Sequence, residues 1–141
     1  MEKRKIGDLE VSAIGLGCMS LSQAYGPPPP REQAEAVLNG ALEAGYTFFD
    51  TAAVYGLGHN ETLIGEVLGG RRKEFVLASK CGLSRGAQRE LNGHPDVLKE
   101  TCELSLKRLK TDVIDLYQIH WPTRNVPMFG GMYYDPSKNN P

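Results

Sequence analysis

The chain has 141 residues, of which 40% are hydrophobic and 23% charged, and its formal net charge is −1. This composition is typical of one folded domain and excludes an intrinsically disordered chain. Because the charges nearly balance, the sequence offers no electrostatic surface for nucleic acid or for an anionic membrane. We therefore expect neither of them as a partner.

The first thirty residues are divided by turn-forming residues. A Gly7–Asp8 turn between residues 4–6 and residues 9–11 predicts a β-hairpin. Residues 13–17 are short and apolar enough for a buried strand. Residues 23–30 end in four consecutive prolines, which fit neither a helix nor a sheet, so we expect a loop there.

From Arg31 onward, helical and strand patterns alternate. Residues 31–45 place Ala34, Val37, Leu38 and Ala41 on one helical face and end at Gly45. The elements predicted next are a strand at 47–50, a loop at 55–58, a helix at 60–68, a strand at 75–78 that ends near Lys80, a polar loop at 81–93, a helix at 95–109 and a strand at 113–119. The helix at 60–68 has Asn60 as its predicted N-cap and a predicted stop at Gly69–Gly70. The inner stripe of the helix at 95–109 consists of Val97, Leu98, Thr101, Leu104, Ser105 and Leu109.

Strands that alternate with helices predict an α/β fold with parallel pairing through right-handed crossovers. Four such strands are too few to close a barrel, and a complete (β/α)8 barrel needs roughly 250 residues. We therefore predict that residues 1–122 form the N-terminal half of a TIM barrel. Residues 123–141 show no periodicity and are expected to be a loop or a disordered tail, in a chain that looks truncated.

The cysteine content indicates the compartment. Cys18, Cys81 and Cys102 are odd in number and lack C-x-x-C spacing, which favours free thiols over disulfides or a zinc site. We expect no bound metal. Residues 1–4 are followed by no apolar segment of the kind found in secretory leaders. These features predict a cytoplasmic protein.

Ionisable residues follow the predicted strands at the same end of the sheet. Asp50, Lys80 and His120 each come after an apolar run, and Tyr55 lies in the loop after the second strand. Any one of them alone is more often a cap, a solvated charge or a packed ring. Together they indicate a site, because the carboxyl ends of parallel strands are where α/β proteins build one.

These residue types in that arrangement suit acid–base chemistry. An ammonium beside a phenol lowers the pKa of the phenol and makes it a useful general acid near neutral pH. A carboxylate would hold the lysine in place. A histidine across the cleft could donate a hydrogen bond to a substrate oxygen.

Several motifs in register resemble those of the aldo-keto reductase family, which are NADPH-dependent oxidoreductases with an (α/β)8 barrel. The resemblance runs from Arg4 to Pro122. The motifs that carry it are Gly15-Leu16-Gly17-Cys18-Met19, Gly45-Tyr46-Thr47-Phe48-Phe49-Asp50-Thr51-Ala52 with Tyr55-Gly56, Gly58-His59-Asn60-Glu61 with Leu63-Ile64-Gly65, Ala78-Ser79-Lys80, and Asp115-Leu116-Tyr117-Gln118-Ile119-His120-Trp121-Pro122.

The resemblance implies a catalytic tetrad for the reduction of an aldehyde or a ketone to an alcohol. Tyr55 would donate a proton to the carbonyl oxygen, and Lys80 would lower the pKa of that tyrosine. Asp50 would be the partner of Lys80, and His120 would orient the carbonyl group.

The resemblance also implies a nicotinamide cofactor, NADPH or NADP+. Gly17, Met19 and Asp50 match the family's contacts near the nicotinamide ring, whose C4 supplies the hydride. In the family, the later strands provide the contacts for the rest of the cofactor, and this sequence does not contain them. The substrate would be a small carbonyl compound or alcohol.

Two alternatives bear on this interpretation. A dinucleotide-binding Rossmann fold is disfavoured, because Ser20 stands at the third glycine position and a polyproline loop follows where a helix is needed. The second alternative is a truncated, catalytically incompetent fragment that acts at most as an interaction or oligomerisation module. Its unsealed sheet edges would pair with another copy or with a complementary half barrel.

Overall fold

The computed structural model describes residues 1–85 and 89–121, and the predicted tail of residues 123–141 lies outside the described residues. In chain order, the described elements are β1 (Lys3–Ile6), β2 (Leu9–Ser12), β3 (Leu16–Gly17), a 3-10 turn (Met19–Leu21), α1 (Arg31–Glu43), β4 (Phe48–Asp50), a second 3-10 turn (Tyr55–Gly58), α2 (His59–Leu68), a 3-10 segment (Gly69–Glu74), β5 (Val76–Cys81), β6 (Leu83–Arg85), β7 (Arg89–Leu91), α3 (Pro95–Leu109) and β8 (Leu116–Ile119).

The central sheet has four strands in the order β3–β4–β5–β8, and all neighbouring strands are parallel. Each of its three connections contains a helix, which is the repeating unit of a (β/α)8 barrel. The predicted fold class, the N-terminal half of such a barrel, is therefore confirmed. The predicted hairpin is also present, because β1 and β2 pair antiparallel across the turn at residues 7–8.

The core lies between the sheet and the helices. Phe49 of β4 and Leu77 of β5 are almost completely buried, and the Phe49 ring packs on Phe75 with 5.0 Å between ring centres. Leu38 of α1 and Leu63 of α2 join the same cluster. Burial of a large apolar side chain contributes about 1.5–3 kcal/mol, so this cluster holds the helices on the sheet.

Helix α2 packs directly on the backbone of α3. A Cβ added to Gly65 would lie 2.6 Å from the carbonyl carbon of Leu109. Only glycine allows that approach, and Ser105 and Leu109 form the buried face of α3 at this interface. In the described part of the chain, none of the helices is long and apolar enough to cross a membrane.

Three predicted boundaries differ from the structure. The predicted strand at 13–17 is reduced to Leu16–Gly17, and the predicted strand at 113–119 begins at Leu116, where pairing with β5 starts. The predicted polar loop at 81–93 contains the end of β5 and the antiparallel pair β6–β7. Short polar strands have little hydrophobic alternation, so their pairing leaves no clear signal in the sequence.

The helices also differ in detail from the prediction. The predicted stop at Gly69–Gly70 is confirmed, because α2 ends at Leu68 with Gly69 as its C-cap, but the chain then continues as a 3-10 segment to Glu74. Val37 and Leu104 are exposed, although the helical spacing placed them on inner faces. The apolar stripe is wider than the surface that the neighbouring elements cover, so its margin remains in solvent.

Asn60 is not the N-cap of α2. The helix begins at His59, its N-cap is Gly58, and no side chain caps it. Asn60 is instead fully buried, and so is Glu61 in the first turn of the helix. Both side chains are committed to tertiary contacts that a local capping preference does not predict.

Candidate active site

The predicted site residues lie at one end of the sheet, at or just after the ends of three neighbouring strands. Asp50 is the last residue of β4, Lys80 is the penultimate residue of β5, and His120 follows β8 directly. Tyr55 begins the 3-10 turn after β4. The parallel strands end at the same edge of the sheet, so the four side chains predicted from sequence lie together.

Lys80 is the centre of the group. Its Nζ donates to both carboxylate oxygens of Asp50 at 2.7 and 2.8 Å, and to the carbonyl oxygen of Thr51 at 2.9 Å. The Tyr55 hydroxyl lies 3.4 Å from the same Nζ, which is 5.1 Å from the centre of the Tyr55 ring. The Lys80 side chain is 15% exposed, so Asp50 offsets a charge that is largely removed from water.

The turn that carries Tyr55 has an unusual backbone. Gly56, Leu57 and Gly58 have φ values of +57°, +57° and +91°, in the left-handed region that favours glycine. The Gly56 N–H donates to the side-chain carbonyl of Gln23 at 2.9 Å, which ties this turn to the loop after β3.

His120 faces the Tyr55 ring. The two rings meet edge to face with 5.7 Å between their centres, and the His120 backbone N–H donates to the carbonyl of Cys81 at 2.9 Å. Burial lowers the pKa of His120, the positive charge of Lys80 lowers it further, and Asp50 opposes both effects. The imidazole is therefore neutral near pH 7, and its buried Nδ1 has no hydrogen-bond partner among the described residues.

A cavity of about 390 Å³ opens beside Asp50 and Lys80. Gly17 lies opposite Asp50 in the sheet register, and a Cβ at Gly17 would meet nothing within 4 Å, so space is open above this backbone. Met19 follows in the half-buried 3-10 turn. The residues that line the cavity are Gly15, Leu16, Gly17, Phe48, Asp50, Lys80 and Gln118.

A larger groove of about 1240 Å³ lies at the amino end of the sheet. Among its lining residues are Thr47, Val76 and Asp115, which directly precede or begin strands β4, β5 and β8. None of the four predicted site residues lines it. The smaller cavity is therefore the better candidate, because Asp50 and Lys80 line it.

Sequence reasoning missed the polar residues that support the group. Gln23, Thr51 and Asn60 bond to the segments that carry it. Thr51 and Asn60 stand in the motifs quoted above, but neither periodicity nor a capping preference indicates these bonds. Cys18 also lies here without a reactive thiol. Burial, followed by the charge of Asp50, raises the pKa of that thiol to about 12.

A model of the aldo/keto reductase family matches residues 13–134, which is most of the chain. The chain belongs to the aldo/keto reductase family. It is 46% identical over 122 residues to the aldo-keto reductase yakc of Schizosaccharomyces pombe, whose name specifies NADP(+); the match covers 83% of this chain and 36% of yakc.

Solved structures of aldo-keto reductases agree with this family assignment. The holo form of AKR11C1 from Bacillus halodurans matches with a TM-score of 0.79 and 38% identity, over 87% of this chain and 41% of that one. An aldo-keto reductase from Klebsiella pneumoniae in complex with NADPH matches with a TM-score of 0.65 and 30% identity, over 86% and 39%. The chain thus spans well under half of these relatives.

Proposed function

We propose that this member of the aldo/keto reductase family takes part in the NADPH-dependent reduction of an aldehyde or a ketone to an alcohol, with Tyr55 as the proton donor. The observation that carries the proposal is the position of Lys80 Nζ between the Asp50 carboxylate and the Tyr55 hydroxyl. Such a group is suited to moving one proton at a carbonyl oxygen.

The residues present fit the nicotinamide end of the cofactor. Gly17 leaves open space next to Asp50, and a side chain at that position would fill it. Gly17, Met19 and Asp50 would hold the ring there. When bound, NADPH supplies the hydride from its nicotinamide C4. The name of yakc and the Klebsiella complex with NADPH support this choice of cofactor.

Tyr55 would give its hydroxyl proton to the substrate oxygen as the carbonyl carbon is reduced. Negative charge then develops on the phenol oxygen, and the ammonium of Lys80, 3.4 Å away, stabilises it. Asp50 and the Thr51 carbonyl fix the ammonium in this position. The neutral O–H is the proton source, and the product is an alcohol with a C–H and an O–H bond in place of the carbonyl double bond.

His120 would orient the substrate. Because its pKa is lowered by burial, the ring is neutral and can donate one N–H to a carbonyl oxygen without adding a second positive charge beside Lys80. Its edge-to-face contact with Tyr55 places both rings at the same side of the site. The substrate is proposed to be a small carbonyl compound or alcohol.

A second candidate function is an interaction or oligomerisation module without activity. Among the described strands, β3 and β8 lie at the two ends of the sheet order. Ile14, just before β3, is 58% exposed, and Ile119 of β8 is 56% exposed. A second copy or a complementary half barrel would cover these positions. Nucleic acid and membranes stay predicted non-partners, and a cytoplasmic location is proposed from the free thiols.

One experiment separates these candidates. The 141-residue chain is titrated with NADPH while cofactor fluorescence is recorded, and its mass is measured by light scattering. Saturable binding would support the reductase function and justify assays on a panel of aldehydes. A stable dimer that does not bind NADPH would favour the interaction module. A cooperative monomer without binding would count against both.

A further inference from the structure

Asn60 is a polar side chain with no exposed surface, five residues after Tyr55 in the chain. Burial of an unpaired amide costs free energy, so its partners show what the structure uses it for. The Asn60 Nδ2 group donates to the Cys18 carbonyl and to the Ser22 hydroxyl, both at 2.8 Å. Its Oδ1 accepts the Thr51 hydroxyl at 2.6 Å.

The orientation of this amide follows from its neighbours. Turning it over would place Oδ1 against the Cys18 carbonyl oxygen, and two acceptors would then face each other. Only the observed orientation lets Nδ2 meet that carbonyl and Oδ1 meet the Thr51 hydroxyl. An aspartate at position 60 would have the same shape but no donor for Cys18.

The partners of Asn60 belong to two segments that carry the proposed site. Cys18 lies between the two proposed nicotinamide contacts Gly17 and Met19, and its backbone N–H donates to the Asp50 carbonyl at 2.9 Å. Thr51 follows Asp50 and gives its own carbonyl to Lys80 Nζ at 2.9 Å. The Asn60 amide therefore bonds at one end to the loop after β3 and at the other end to Thr51, whose carbonyl accepts from Lys80 Nζ.

We propose that Asn60 is a positioning residue of the reductase site, which locks the loop after β3 to the Asp50–Thr51 segment. The proposal rests on the proposed function. Asn60 acts through Cys18 and Thr51, and it sets the distance between the nicotinamide contacts and the ammonium of Lys80. Loss of its donor group would release the loop while the core packing of α2 stays in place.

The accessibility of the buried Cys18 thiol measures directly whether the loop after β3 is held in place. Cys18 is 0% exposed, so an alkylating reagent reaches it only when the loop opens. Cys81 is also buried, in β5, and provides an internal reference for opening of the whole fold. Trypsin places Cys18, Cys81 and Cys102 in three different peptides, so mass spectrometry measures each rate of iodoacetamide labelling separately.

The test compares Asn60→Asp and Asn60→Leu with a core control, Leu68→Val, on the same helix. We expect both Asn60 variants to label Cys18 at least about tenfold faster, with labelling of Cys81 changed less than twofold. The control should change both rates by the same factor. Equal acceleration at Cys18 and Cys81 in the Asn60 variants would show a general stabilising role and would overturn the proposal.

Two substitutions of Thr51, whose hydroxyl donates to Asn60 Oδ1, form a matched pair. Thr51→Val keeps the shape but removes the hydroxyl donor, whereas Thr51→Ser keeps the donor and loses a methyl group. Selective labelling of Cys18 should increase more in the valine variant than in the serine variant. The opposite order would mean that packing, not the bond to Asn60, holds the loop.

NADPH titration of the same variants tests whether the bonds of Asn60 affect cofactor binding. We expect the dissociation constant of the Asn60 variants to rise at least about tenfold and that of Leu68→Val to stay within twofold. If the unaltered chain binds no NADPH, the proposed function fails for this chain, whereas the Cys18 labelling still decides whether the lock exists. If it binds and the Asn60 variants bind equally well, the positioning role fails alone.

Discussion

Arg108 of α3 forms an ion pair with Glu61 of α2, and its Nε lies 2.7 Å from a carboxylate oxygen that has no contact with solvent. The other oxygen of Glu61 accepts the Ser79 hydroxyl at 2.6 Å. Ser79 immediately precedes Lys80 in β5. A single buried carboxylate thus joins both helices to the strand that carries the lysine.

Glu61→Gln should destabilise the protein by about 2 kcal/mol, because it leaves Arg108 without a charged partner in a half-buried position. The free energy of unfolding in urea measures this effect. The matched control is Glu66→Gln on the same helix, whose carboxylate pairs with Arg31 in a much more exposed position. We expect a much smaller loss from the control, since exposed ion pairs contribute little. Equal losses would contradict the structural role of Glu61.

Tyr55→Phe should reduce carbonyl turnover by about 10²- to 10⁴-fold, the usual contribution of a general acid. The ring remains, so its edge-to-face contact with His120 and the affinity for NADPH should change little. Single-turnover assays and cofactor titration measure the two quantities in the same preparation. Turnover close to that of the unaltered chain would exclude Tyr55 as the proton donor.

Lys80→Met should impair turnover severely and change the pH–rate profile. The apolar side chain can no longer stabilise negative charge on the Tyr55 oxygen, 3.4 Å from the present ammonium. The control is Lys73→Met, which removes an exposed lysine from the segment before β5. An unchanged pH–rate profile in Lys80→Met would contradict the electrostatic role of Lys80.

His120 should make the protein less stable as the pH falls below about 6.5. Burial lowers its pKa in the folded state, so the unfolded chain takes up a proton that the folded chain does not. Stability is therefore lost between the ordinary pKa of histidine and the lower folded value, and the loss stops below the latter. His120→Gln should flatten the dependence of the urea midpoint on pH between 7.5 and 5.5.

The control for that measurement is His94→Gln, at an exposed position before α3. The effect assigned to His120 is the difference between the slopes of the unaltered chain and of His120→Gln. Identical slopes would show that burial of this ring does not affect its protonation. The comparison needs no turnover, so it is independent of the proposed reaction.

The sequence predicts the chemistry-bearing positions better than the supporting ones. Asp50 and Lys80 end apolar runs, and that local pattern is enough to place them at one edge of a parallel sheet. The fold class follows from the same alternation of elements. The role of each group in catalysis stays a prediction, because proximity alone does not show which proton moves.

Asn60 shows why the rest could not be predicted. A local capping preference indicated an N-cap, but its side chain bonds to Thr51, nine residues away, and to Cys18, 42 residues away. The partner of Glu61 is equally distant in sequence, because Arg108 lies 47 residues further along the chain. Partners so distant in sequence are set by the packing of α2 between β5 and α3, and no local periodicity encodes that packing.

The interval from Phe48 to His120 contains all four ionisable groups and the strands β4, β5 and β8 that align them. The partners of Lys80, which are Asp50, Thr51 and Tyr55, also lie within this interval. One continuous stretch of the gene therefore encodes these groups and sets the number of residues between them. Insertions or loop exchanges elsewhere in the gene therefore leave the number of residues between these four groups unchanged.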